Sequence, residues 1–315
     1  YMTTAHGVPD GKLWKLDAGA DTLVAAPILL GNFPATLDVT PDGLYAFVVN
    51  FNLHGEHVPS TVSVVYTPNM VEVDQIATCT MPHGMRLSPD GLFAYSMCMM
   101  DDQLVEIDTR TFEVSRRFSV AVGDERPIAH YAEPEIMTGA RGMRAPAAEG
   151  AMGGMEGMDH EHEAMAPTCS PTWAEPSPDG ERVYVACNRS NEILVIDRAS
   201  WTLERKLPTG AGPYNLDVTP DGRILVASLK TAGQVQFFDL ATGESLAVLP
   251  STTTVTHGVA VTPDSRYAFV SAEGKGAEPG KVDVFDLRSF EQIGSAEVGQ
   301  QAGGITFWKM EPSTP

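Results

Sequence analysis

The chain has 315 residues, 43% of them hydrophobic, and sets 41 Asp and Glu against 21 Lys and Arg for a net charge of −20. A surface this acidic excludes a nucleic-acid backbone as partner, because that affinity rests on basic side chains that displace counterions. No apolar run reaches the roughly 18 residues of a spanning helix, so no membrane span is expected, and Tyr1-Met2-Thr3-Thr4 lacks the charged and apolar regions of a signal peptide, as a processed mature chain would.

In chain order, residues 1–4, 12–17 and 23–30 read as β-strands that would be strands b, c and d of a unit with no strand a before them. One phrase then recurs: Leu37-Asp-Val-Thr-Pro-Asp-Gly43, Arg86-Leu-Ser-Pro-Asp-Gly91, Glu175-Pro-Ser-Pro-Asp-Gly180, Leu216-Asp-Val-Thr-Pro-Asp-Gly222 and Ala260-Val-Thr-Pro-Asp-Ser265. Proline fixes φ, aspartate bonds back to its own backbone and glycine accepts positive φ, so each phrase is a hairpin turn between strands a and b. A second phrase follows each time, as in Val105-Glu-Ile-Asp108, Val195-Ile-Asp197, Gln236-Phe-Phe-Asp239 and Val284-Phe-Asp286, and ends strand c before a polar turn and strand d. The usual repeat of about 42 to 48 residues is the length of a propeller blade.

The segment Pro178-Asp-Gly-Glu-Arg-Val-Tyr-Val-Ala-Cys-Asn188 followed by Ile193-Leu-Val-Ile-Asp197 resembles the YVTN-type β-propeller repeat family, and the likeness extends over nearly the whole chain outside residues 121–170. The expected fold is all-β: a propeller of four-stranded blades spanning residues 1–315 as one domain, with six blades counted. Seven would need strands inside residues 121–170. Gly304-Ile-Thr-Phe-Trp308 is expected to supply the missing strand a, so that the ring closes by pairing the two chain ends and leaves no open sheet edge. Residues 121–170, rich in Ala, Gly, Met, Glu and Pro, read as a long inserted loop between blades.

Blade geometry puts the a–b and c–d turns on one face of the disc and the b–c and d–a connections on the other. All eight histidines and all four cysteines map to the second face. Cys98 and Cys187 share one place, seven residues after their turn glycines, while His83 and His257 share another, six residues before the turn proline, where Tyr214, Thr172 and Ala35 are the counterparts. Methionine follows, with Met85 and Met99 near His83 and a run within the insertion. Thioether, thiolate and imidazole together suit soft cations, copper above all. The stretch Met152-Gly-Gly-Met-Glu-Gly-Met-Asp-His-Glu-His-Glu-Ala-Met165 is similar to the Met- and His-rich segments of periplasmic copper-handling proteins. That resemblance implies a periplasmic or secreted chain that binds Cu(I) or Cu(II), with Met155, Met158, His160 and His162 in a capture arm and a copper-donor or acceptor protein as partner. Candidate fixed ligands are His83, His257, Cys98 and Cys187, with Met85, Met99 and Cys169 as alternatives.

The bland readings are a low-complexity linker for the methionines, buried hydrophobes or a disulfide for the cysteines, and strand-capping hydrogen bonds for His83 and His257. A protein-binding propeller without metal is the alternative function. A lactonase or dehydrogenase-subunit role rests only on what other propellers do. No phosphate loop, Gly-x-Ser-x-Gly elbow, zinc helix or haem-attachment motif occurs, so no catalytic residue is assigned.

Overall fold

The structure is a computed structural model that describes residues 1–4, 10–53, 58–131 and 166–310. Its described residues form strands and turns without helices, so no helix is long and apolar enough to cross a membrane. Six blades follow one another as antiparallel sheets: blade 1 (2–32), blade 2 (34–80), blade 3 (82–127), blade 4 (171–208), blade 5 (213–250) and blade 6 (255–297). Blades 2 to 6 each carry strands a to d in chain order, and their strands a lie innermost, each against the next from Pro34–Val39 to Val255–Val261.

The repeated turn forms as its chemistry requires. In blade 2 the Thr40 hydroxyl donates to Asp42 Oδ1 at 2.6 Å and accepts from the Tyr45 backbone N–H, while Gly43 takes φ +73°. Ser88, Ser177, Thr219 and Thr262 bond Asp90, Asp179, Asp221 and Asp264 in the same way. Where the last turn has Ser265 in place of glycine, the residue still adopts φ +56°, so the surrounding bonds outweigh the steric cost.

The core consists of layers between adjacent blades. Phe47, Val62, Met85 and Val105 belong to the layer between blades 2 and 3, Tyr95, Leu104, Val183 and Trp201 to the next, and Phe237, Val259 and Phe285 to the layer between blades 5 and 6. Each sheet is therefore apolar on both faces and reads as near-continuous hydrophobic runs rather than a clean alternation.

Blade 1 has three ladder strands, Met2–Thr4, Asp10–Trp14 and Ile28–Asn32, plus a small hairpin of Leu16–Asp17 with Thr22–Leu23. The expected strand at 304–308 is not one: these residues have no ladder partner among the described residues. Its placement nevertheless matches the expectation. Ser271 donates to Gly303 O at 2.6 Å, as Ser228 donates to His257 O at 2.5 Å one blade earlier, so Gly303 occupies the entry of a strand a.

The insertion also departs slightly from its reading as pure loop. Arg126–Pro127 pairs with Glu113–Ser119 and adds a fifth, two-residue strand to blade 3. No seventh blade occurs among the described residues.

Candidate functional site

At the channel mouth, two histidines that are 174 positions apart in sequence meet across one tyrosine. His83 is buried and has both ring nitrogens engaged, Nδ1 with Thr172 O at 2.7 Å and Nε2 with the Tyr214 hydroxyl at 2.9 Å. Neutral imidazole satisfies this pair if Nδ1–H donates to the carbonyl and Nε2 accepts from the phenol. Burial pushes His83 down to about 4, and the nearby Lys230 charge adds to the effect.

The Tyr214 ring also lies 4.5 Å from the His257 ring, and Lys230 Nζ stands 4.1 Å over the tyrosine face. His257 sits between two acceptors, Gly303 O at 3.1 Å from Nδ1 and Glu273 Oε1 at 3.3 Å from Nε2. Burial and Lys230 push this imidazole down as well. The Gly303 carbonyl opposes them by accepting from the ring. Phe51 closes the other side, its ring 4.8 Å from that of His83.

Below the mouth, the residue three places before each turn proline points into the channel: Asp38, Arg86, Glu175 and Asp217 from four successive blades, with Ala260 in the fifth. Arg86 Nε bonds Glu175 Oε2 at 3.1 Å, and its guanidinium lies 4.4 Å from the Trp173 ring. Asp38 and Asp217 accept the backbone N–H of Leu87 and Val261 from the next blade, at 2.9 and 2.7 Å. At Arg86 the corresponding residue of the next blade is Pro176, which has no N–H to donate, so a carboxylate there would lack that partner. Burial pushes Glu175 up to about 8 and Asp217 up to about 6, against the pull of Arg86.

Several expected ligands are corrected. Cys98 is bonded to Cys79, and Cys169 to Cys187, so Cys98, Cys169 and Cys187 hold no thiolate to offer a metal. The first bridge ties the end of blade 2 to blade 3, and the second fixes the returning end of the insertion. Met85 is wholly buried in the layer between blades 2 and 3. Met99 is half-buried, with its backbone N–H bonded to Met81 O. His83 and His257 do come together, but no group of three His, Cys, Asp or Glu side chains among the described residues is placed to hold a metal. Met155, Met158, His160 and His162 lie outside the described residues, as do His6, His54 and His57.

The base of the insertion is well defined. Val122 N bonds Thr168 Oγ1 at 2.9 Å, joining its two ends, and Asp102 accepts the Thr168 hydroxyl at 2.8 Å and the Ser170 N–H at 2.7 Å. Three residues beyond Cys169 is Thr172, whose carbonyl holds His83. The insertion therefore leaves and rejoins the fold beside the mouth cluster.

Sequence reasoning missed Lys230 and the charged channel ring. The ring had a signal, a charged residue repeated at one fixed distance from the turn proline on an otherwise apolar strand.

Sheets of four antiparallel strands following one another around innermost strands a make this a β-propeller. The chain belongs to the YNCE-like beta-propeller family, whose model matches residues 26–295. Among solved structures, a chain of Kuenenia stuttgartiensis hydrazine synthase is similar, with 22% identity and a TM-score of 0.61 over 84% of this chain. The present chain spans 66% of that one, and the likeness is one of fold. No curated protein matches the chain.

Proposed function

We propose that the protein is an extracytoplasmic copper-binding propeller in which the Met/His-rich insertion captures the metal and the channel mouth receives a donor or acceptor protein. The observation that carries this reading is the base of the insertion, pinned by Asp102 and by the Cys169–Cys187 bridge beside the mouth cluster. Met155, Met158, His160 and His162 would bind copper, since thioethers take Cu(I) without losing a proton and imidazole serves either oxidation state. The fixed candidates fit a metal poorly: the cysteines are oxidised, both His83 nitrogens are engaged, and the Lys230 charge repels a cation between His83 and His257. Two buried disulfides support an oxidising compartment.

The test is copper retained against a competing chelator, measured by mass spectrometry for the intact chain, a form lacking residues 137–165, and His83→Ala. The expected result is retention by the intact chain and His83→Ala, with loss in the deletion. Retention by the deletion would move the site onto the blades. No copper in the intact chain would overturn the reading and favour a metal-free protein-docking module, which the saturated His83 would equally suit.

A further inference from the structure

On the face opposite the mouth, four of the five interfaces between blades successive in sequence are closed by a plug. The plug is the fourth residue after the end of strand c: Met70, Phe112, Trp201 and Phe290, all in the left-handed conformation at φ +50° to +59°. Each side chain enters the preceding blade. Met70 packs with Leu13 and Leu30, Phe112 lies 5.2 Å from Tyr45, Trp201 lies 6.0 Å from Phe118 and 4.0 Å from the Arg116 guanidinium, and Phe290 lies 5.6 Å from Phe237.

At the interface of blades 4 and 5 the corresponding residue is Gly243, at φ +81°. No side chain of blade 5 enters; Arg205 and Leu207 of blade 4 close over Gly243, and alongside lies a groove of about 710 Å³ lined by Arg182, Tyr184, Glu204, Arg205 and Arg223 among others.

The groove is equipped for a ligand. Tyr184 is 3% exposed, and no hydrogen bond is formed by its hydroxyl among the described residues. Arg205 Nε is buried without a hydrogen-bond partner, although its Nη2 reaches Leu240 O. Arg223 makes no ion pair among the described residues. The carboxylates here are already engaged: Glu204 with Arg182 at 2.6 Å, and Asp179, Asp221 and Asp239 with N–H groups of their own turns. Two guanidinium groups and a phenol thus keep donors unused beside the groove. Arg205 would hold an aromatic ring as Arg116 holds Trp201.

We propose that this groove binds a small aromatic anion, its ring against Tyr184 and the Arg205 guanidinium and its carboxylate on Arg205 and Arg223.

The experiment is titration calorimetry of the intact chain with benzoate, with acetate as the ring-free comparison, repeated on Gly243→Phe and Arg205→Met. A Cβ on Gly243 would stand 3.0 Å from Arg205 Nη1 and 3.1 Å from Leu207 Cδ2, both ends of flexible side chains, and Phe112 and Phe290 hold phenylalanine at φ +59° and +54°, against +81° at Gly243. Benzoate is expected to bind one site, acetate at least tenfold more weakly; Gly243→Phe should abolish binding and Arg205→Met should weaken it at least tenfold. Circular dichroism checks that each variant is folded, and Arg205→Met carries the test if Gly243→Phe is not. Absence of benzoate binding by the intact chain, equal binding of acetate, or unchanged benzoate affinity in a folded variant overturns the proposal. Deletion of residues 137–165 should leave benzoate affinity unchanged, which separates this site from copper capture.

Discussion

Replacing Glu175 by glutamine should remove a loss of stability that the protein otherwise carries between pH 6.5 and 8. Glu175 lies in the channel with Asp38 and Asp217 sharing the single Arg86, and burial raises it from the ordinary 4.5 to about 8. A carboxylate raised on folding holds a proton in the native state that the unfolded chain has already released, so its contribution is fully present below about pH 4.5 and is lost as pH rises through about 8. Each pH unit inside that window costs about 1.4 kcal/mol. With the curve bending near its upper end, the loss from pH 6.5 to 8 is about 1–2 kcal/mol, or roughly 2–3 °C in Tm for a chain of this size. The imidazoles, half protonated in the unfolded chain at pH 6.5, titrate alike in the wild type and in Glu175→Gln, so the difference between the two reports Glu175. Glutamine keeps an acceptor for Trp173 Nε1 and Arg86 Nε. Thermal unfolding followed by circular dichroism at pH 6.5, 7.25 and 8 should show a wild-type Tm that falls relative to that of Glu175→Gln as pH rises. An equal fall in both would refute the argument and place the titration elsewhere.

His83 predicts the opposite dependence at lower pH: depressed to about 4, it contributes stability that is complete above about 6.5 and lost as pH falls through 4. His83→Phe should cost about 2–4 kcal/mol at pH 7 by stranding the Thr172 carbonyl and the Tyr214 hydroxyl, and denaturant titrations at pH 5 and 7 should show a smaller acid loss than in the wild type. The Cys79–Cys98 bridge spans a sequence separation of 19, so Cys79→Ala/Cys98→Ala should lower stability by about 3 kcal/mol in chemical denaturation. No change would mean that blades 2 and 3 are held in register by packing alone.

The blades were legible because their signal is local and repeated. A Thr or Ser, a proline, an aspartate and a glycine within a few residues make a turn whatever surrounds them, and five such turns at blade spacing allow little but a propeller. The shared face of the histidines and cysteines followed from the same bookkeeping. Whether thiols would be ligands or bridges was not legible. Cys79 with Cys98 and Cys169 with Cys187 are near in sequence, but their bonding depends on how strand ends meet between and within blades.

The sequence by itself therefore determined the turns and the strand order, and counted six blades while leaving a seventh open. Only the tertiary structure decided what meets at the axis and between the blades. His83, Tyr214 and His257 converge at the mouth, Asp38, Arg86, Glu175 and Asp217 share one buried charge balance, and Gly243 leaves one interface without a plug. Each of these arises from side chains more than 40 residues apart brought together by the closing of the disc, and no local pattern encodes that distance.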